Sequence, residues 1–377
     1  MLKTSFRKYN LPENNGRPLL YKVTGFLCIT AFAFFVSCDG NGGSDDTDDG
    51  YNREALLEMY SGFIQNEYAS LASDLDAFNL ALESFENSPE ETTLNNLQNT
   101  FNKAYEQWQK VDFLNIESAK TNYFIESANT FPANVETIAK NISEEITNLD
   151  PISQFAAQGF PAIGYMLYHK EQAEAVTYLS EPKAAAYLRL LTERLRNKLG
   201  LTQDGWSSGE SDFIKDAGSD AGSSISTLFN AFVESFEQRS RDAKVGIPAG
   251  IRTDNVVQPE QVEALYSAQS LVLLRENITG LKDFFNGSDL DGFDDYLDYL
   301  DAKRNDELLS DVINDQFDAV LEKIDALDQD IKSIVESDKA KAIEIFNEMQ
   351  KMVVYLKVDM AAELGILINY ADNDGDS

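Results

Sequence analysis

The chain has 377 residues, 43% of them apolar, which is enough for two ordinary domains with buried cores and too much for wholesale disorder. Its formal net charge of −33 creates a field that repels nucleic acid and anionic lipid, so nucleic-acid binding is set aside. The single histidine, His169, excludes multi-His metal sites and leaves a His-based triad improbable, while both cysteines, Cys28 and Cys38, fall in the first forty positions and leave the body without disulfides.

The chain opens on a basic leader, Lys3, Arg7, Lys8, Arg17 and Lys22, followed by the apolar run Gly25 to Val36. That run has signal-peptide length and is too short to span a bilayer comfortably. It ends in Phe35-Val36-Ser37-Cys38, which resembles a bacterial lipobox. The resemblance implies removal of residues 1–37, lipidation of Cys38 and a membrane partner reached through that anchor. Without residues 1–37 the chain keeps 26 basic against 63 acidic side chains, a net charge of −37. Residues 38–50 are rich in Gly and Asp and read as an extended, solvated tether. Their Ser44-Asp45-Asp46-Thr47-Asp48-Asp49 core is similar to the acidic tags that carry some Bacteroidetes lipoproteins to the cell surface. The expected address is therefore the outer membrane, facing the periplasm or the exterior. A calcium-loop frame from Asp45 fails, because its twelfth position is Leu56 rather than Glu.

From Tyr51 onward apolar residues recur at helical spacing. Ile64, Tyr68, Leu71, Leu75, Phe78, Leu82 and Phe85 predict one long helix, stopped at Asn87-Ser88-Pro89. Leu94, Leu97, Phe101, Tyr105 and Trp108 predict a second, ending near Asp112. Residues 114–131 are ambiguous, Pro132 to Asn148 is a further segment, and Gly159 to Tyr168 reads as a helix with Pro161 in its first turn. Another helix starts at Pro182 with Leu188, Leu191, Leu195 and Leu199 on one face. The Gly/Ser-rich interval Gly200 to Gly222 is the best domain boundary, dividing the body into residues 51–205 and 206–377, with Trp206 packed locally.

In the second half Ile225 to Arg241 predicts a helix and Lys244 to Gly250 a loop. A helix restarts at Pro259 and carries Ser267 through Phe285; a long stripe runs from Leu309 to Ile334; and Ser337-Asp338 caps a last helix through Leu367. No run alternates with period two, so no sheet is expected. The fold class is all-α, with helices packed as two four-helix-bundle-like domains side by side.

The stretch Gly159-Phe160-Pro161-Ala162-Ile163-Gly164-Tyr165-Met166-Leu167-Tyr168 resembles the signature of the imelysin-like proteins, Gly-x-His-x-x-Glu before a Tyr-Leu-Leu-like run. Here Pro161 stands at the His position and Gly164 at the Glu position. The loop Lys244 to Gly250 and the tail from Leu356 to Asp376 match the same family in order, so the likeness runs through residues 51–376. It implies two helical bundles with a functional site at their interface, and a link to bacterial iron uptake. Carried over by position, the site would involve Gly159, Pro161, Gly164, Tyr165, Lys244, Pro248, Lys357 and Asp359.

A metal-dependent peptidase needs ligands and a carboxylate base, and neither Pro161 nor Gly164 supplies a side-chain ligand. His169 reads as a solvent-side helix residue. Asp289, Asp291, Asp294 and Asp295 read as a helix-capping turn rather than a calcium site, and Asp372, Asn373, Asp374 and Asp376 as a tail that caps or docks. Asp359 is half-buried by its neighbours in sequence and needs a cationic partner, for which Lys244 or Arg275 would serve. The leading expectation is an envelope lipoprotein that binds an iron- or haem-related ligand or an uptake partner without catalysis. A metal-dependent peptidase and a structural, partner-docking lipoprotein stand as alternatives.

Overall fold

The computed structural model describes residues 50–288 and 290–371. The leader, the lipobox with Cys38, most of the tether, Asp289 and the acidic end from Asp372 lie outside the described residues. The described chain is all-α, apart from one hairpin of two-residue strands, β1 (Lys303–Arg304) and β2 (Glu307–Leu308). None of its helices is long and apolar enough to cross a membrane.

The first predicted stripe becomes α1 (Arg53–Asn87), about 50 Å long at 1.5 Å per residue. All seven of its stripe residues are at most 1% exposed. They pack against α2 (Glu91–Trp108), whose own predicted face is equally buried. The ambiguous interval resolves into two short helices, α3 (Glu117–Thr121) and α4 (Phe124–Asn129). After α5 (Val135–Glu144) and a 3-10 turn (Ile152–Ala157) come α6 (Gly159–Tyr168) and α7 (Gln172–Leu179).

The next helix, α8 (Pro182–Lys215), packs along α1 and corrects the expected break at Gly200. The expected boundary at 205/206 falls inside this helix. Glycine's poor helix propensity is outweighed by packing: Trp206 and Phe213 are buried and meet edge-to-face at 4.8 Å. Gly205 is needed there, since a Cβ would lie 2.5 Å from the Ser118 side chain.

In the second half, α9 (Ser224–Glu234) runs without a break into a twelve-residue π-helical segment (Ser235–Gly246), so Lys244 ends a helix rather than opening a loop. Pro259 starts only a 3-10 turn, and α10 (Ser270–Phe285) begins eleven residues later than expected. After α11 (Phe293–Tyr299), the long stripe divides into α12 (Leu309–Asp325) and α13 (Ile331–Val354), because Asp330 caps α13 by accepting from Ser333 N at 2.8 Å. The expected break at Ser337-Asp338 is a kink inside α13, where Asp338 is non-helical. A second π-helical segment (Tyr355–Met360) and α14 (Ala361–Glu363) close the helical part.

The two halves of the chain pack directly on each other. Tyr60 of α1 donates to Phe284 O (3.1 Å) and accepts from Phe293 N (3.0 Å). At the α2–α10 crossing, a Cβ on Gly280 would sit 3.1 Å from Lys110 Cα. The described residues accordingly belong to one compact unit.

In the first turn of α11, Asp295 caps the helix by accepting from Gly292 N at 3.0 Å. Its neighbour Asp294 has a buried Oδ1 without a hydrogen-bond partner, and burial, aided by Asp295, pushes its carboxyl up to about 6. A raised folded-state value means that protonation stabilises the fold below the ordinary 3.8 and that this contribution is lost as pH rises through 6. Asp294→Asn is expected to raise stability at pH 7.5 by about 1 kcal/mol, after discounting for solvent screening of a half-exposed group. Urea unfolding across pH should show the gain vanish below pH ~4; a gain independent of pH would contradict the assignment.

Candidate functional site

A buried charged centre lies where α2, α4, α10 and the first π-helical segment converge. The widened helix creates it. A π-helix closes hydrogen bonds five residues back, as Ile247 N does to Asp242 O at 2.8 Å, and turns once in about 4.4 residues. Ser235 and Lys244, nine residues apart, therefore point the same way. In an α-helix of 3.6 residues per turn they would face opposite sides.

Lys244 is 1% exposed and its ammonium is surrounded by oxygens: Glu263 Oε2 at 2.6 Å, Gln109 Oε1 at 2.8 Å and Asp112 Oδ2 at 3.5 Å. The ammonium thus donates two hydrogen bonds and keeps a longer ion pair with Asp112. The carboxylates are held in turn. Glu263 Oε1 accepts from Gln109 Nε2 (3.0 Å) and Asn129 Nδ2 (2.7 Å), and Asn129 Oδ1 accepts from Tyr105 (2.7 Å). Asp112 Oδ1 accepts from Asn277 at 3.3 Å and Ser235 at 3.4 Å. Burial raises the Asp112 carboxyl, and the Lys244 and Arg239 charges partly counter the rise. Beside this centre lies a pocket of about 180 Å³ lined by Asp112, Asn129, Phe131, Arg239 and Lys244, among others.

The motif helix α6 supports the centre without supplying a polar group to it. Gly159 has φ +70°, and a Cβ there would lie 2.1 Å from Ala128 O, so α6 starts pressed against the backbone of α4. Phe160 stacks on Tyr105 at 4.5 Å, the same tyrosine that holds Asn129. Pro161 and Gly164 are buried in packing. A Cβ on Gly164 would meet the Phe101 ring at an ordinary 3.5 Å, so Gly164→Ala is expected to be neutral or to stabilise by up to about 1 kcal/mol in thermal unfolding. A loss above about 2 kcal/mol would contradict that packing.

Tyr165 is half-buried against Tyr266 (4.9 Å) and stacks on His169 at 4.2 Å. His169 is not the solvent-side residue expected: it sits between Tyr165 and Tyr178, its Nδ1 is 2.7 Å from Tyr165 O, and burial pushes its imidazole down.

The other predicted positions fall elsewhere. Pro248 is buried and its carbonyl accepts from Gln258 N at 2.9 Å. Lys357 pairs at 2.9 Å with fully buried Glu237, which also bonds Arg241 (3.3 Å) and Tyr370 (2.8 Å) on another face of the π-helix. Asp359 is held by Arg304, not by Lys244 or Arg275, because the β1–β2 hairpin carries Arg304 against the second π-helical segment. Arg275 is 45% exposed and pairs with Asp325 at the surface. Ahead of the acidic end, Asn230 bonds Leu367 O (3.1 Å) and Asn369 N (2.9 Å), while the expected docking tail of Asp372, Asn373, Asp374 and Asp376 lies outside the described residues. No group of His, Cys, Asp and Glu among the described residues is arranged to hold a metal ion.

Of the residues at this centre and its pocket, the sequence singled out Lys244 as a candidate and not Gln109, Asp112, Asn129, Arg239 or Glu263. Asp112 carried a signal, since it continues the buried stripe of Tyr105 and Trp108 at the next helical step with an acid. Glu263 carried none, lying in an irregular turn between Val262 and Ala264.

Comparison with known proteins bears on this architecture. The family model described as imelysin matches residues 64–356. Two solved structures are similar over nearly their whole length. One is an imelysin-like protein from Psychrobacter arcticum 273-4, with a TM-score of 0.66 and 16% identity, covering 84% of this chain and 97% of that one. The other is a putative iron-regulated protein A precursor from Parabacteroides distasonis ATCC 8503, with a TM-score of 0.68 and 14% identity, covering 86% and 97%. At such identities the likeness speaks for the fold. No curated protein matches the chain.

Proposed function

The chain belongs to the imelysin family, and on that premise we propose that it is a non-catalytic ligand-binding lipoprotein of the cell envelope. It is anchored through Cys38 and receives an iron- or haem-related ligand at the Lys244 centre. The observation that carries this reading is the ammonium of Lys244, which already fills the space between Glu263, Gln109 and Asp112 that a hard cation would take. A hydrolytic metal would need those oxygens, and the two motif positions offer Pro161 and Gly164 instead. The description of one structural relative as iron-regulated supports the link to iron.

Calorimetric titration of the full chain with ferrous iron, ferric iron, haem, zinc and calcium tests the proposal. One of the iron species or haem is expected to bind one-to-one. Absence of binding by all iron species and haem would move the reading to partner docking, and chelator-sensitive peptide cleavage would move it to a peptidase.

A further inference from the structure

Arg239 is the one arginine among the described residues without a hydrogen-bond partner. Arg53, Arg189, Arg194, Arg196, Arg241, Arg252, Arg275 and Arg304 each donate to a named acceptor. Arg239 has only Glu126, whose Oε1 stands 3.8 Å away, beyond hydrogen-bonding distance, and whose Oε2 is buried without a partner. In a chain with an excess of 33 negative charges, a guanidinium left in this state is unusual: carboxylates are abundant, yet none has closed on it.

Arg239 lines the same pocket as Lys244. That lining carries two cations against one carboxylate, Asp112, whose charge burial disfavours. Phe131 and Ala243 add apolar wall. At about 180 Å³ the pocket is below the usual size of a site for a whole drug-sized molecule, so it admits a compact group rather than an extended one.

We propose that this pocket is a carboxylate-binding subsite, in which Arg239 receives a carboxylate arm of the ligand through two parallel N–H···O bonds. The inference rests on the reading that the Lys244 pocket is the ligand site and gives that ligand a chemistry. Planar bidentate pairing is what arginine offers a carboxylate, and Arg239 at the pocket wall has only the long ion pair to Glu126 to give up for it. Because Lys244 already occupies the cation position, iron would arrive inside an anionic complex and be recognised by its carboxylates. A compact ferric carboxylate chelate and the propionate of a haem share this chemistry.

Titration of the full chain with citrate, ferric citrate, haem and haem dimethyl ester separates the cases, with acetamide as the neutral control. A carboxylate-bearing probe is expected to bind, and haem dimethyl ester and acetamide are not. Ferric citrate binding with haem silent names the chelate, and haem binding that is lost on esterification names the propionate. Arg239→Gln should weaken binding by about tenfold or more, and Glu126→Gln, which removes the competing carboxylate, should strengthen it. Unchanged melting temperatures would show that both variants fold.

Equal affinity for haem and its ester, or an Arg239→Gln variant that binds as wild type does, would overturn the proposal. If iron or haem binds without dependence on Arg239, this proposal falls while the iron reading stands. If citrate binds through Arg239 while neither ferric citrate nor haem binds, the subsite stands and the iron reading falls.

Discussion

Lys244→Met is expected to destabilise the protein by about 3–5 kcal/mol at neutral pH. Methionine fills the volume but removes the charge around which Glu263, Asp112 and Gln109 are arranged. Glu263 is 1% exposed and would keep only amide donors, and Asp112 is 3% exposed and already raised by burial. Two buried carboxylates would lose their main counter-charge. The loss should shrink as pH falls, because protonation of Asp112, whose carboxyl burial already raises, removes a charge that Lys244 compensates. Adding Glu263→Gln to the variant should recover part of the stability for the same reason. Urea unfolding of the three proteins checks this, and a loss below about 1 kcal/mol for Lys244→Met would show that the centre is not held by its charges.

Gly159→Ala carries the second large effect, an expected loss of about 3 kcal/mol or more, or failure to fold. Two causes act together. The φ of +70° costs an L-residue about 1–2 kcal/mol. The added Cβ also falls 2.1 Å from a backbone oxygen of α4, which cannot rotate away as a side chain could. Relief would require α6 to move off α4, taking Phe160 from Tyr105 and loosening Asn129. A soluble Gly159→Ala protein with wild-type melting temperature would refute the close approach. The contrast with tolerated Gly164→Ala separates a glycine fixed by backbone contact from one that merely packs on a ring.

Much of the fold could be read from spacing. The stripes of α1 and α2 are buried as predicted because long amphipathic helices leave a strong 3.6-residue pattern. What failed were local signals overruled by packing. The glycines at 200, 205 and 209 looked like a boundary, but they lie on a helix pinned by Trp206 and Phe213. The π-helical segment was invisible for a different reason. Its turn is wider than the period used to read helices, so Lys244 fell outside the expected helix. The partner of Asp359 was equally hidden, since Arg304 reaches it from a two-residue strand that composition does not announce.

The site divides along the same line. Positions carried by family motif, Gly159, Pro161 and Gly164, are legible in sequence and are buried in the packing of α6. The polar centre draws on Gln109, Asp112, Asn129 and Glu263, which are brought together only by tertiary structure.

Hydrogen exchange of the full chain, with and without saturating ferric citrate or haem, tests most directly where the ligand sits. The account predicts slower exchange at residues 109–112, 129–131 and 239–244, with no change around Arg304 and Asp359. Protection confined to the Arg304–Asp359 pair or to the outer surface, with the Lys244 centre unaffected, would contradict it.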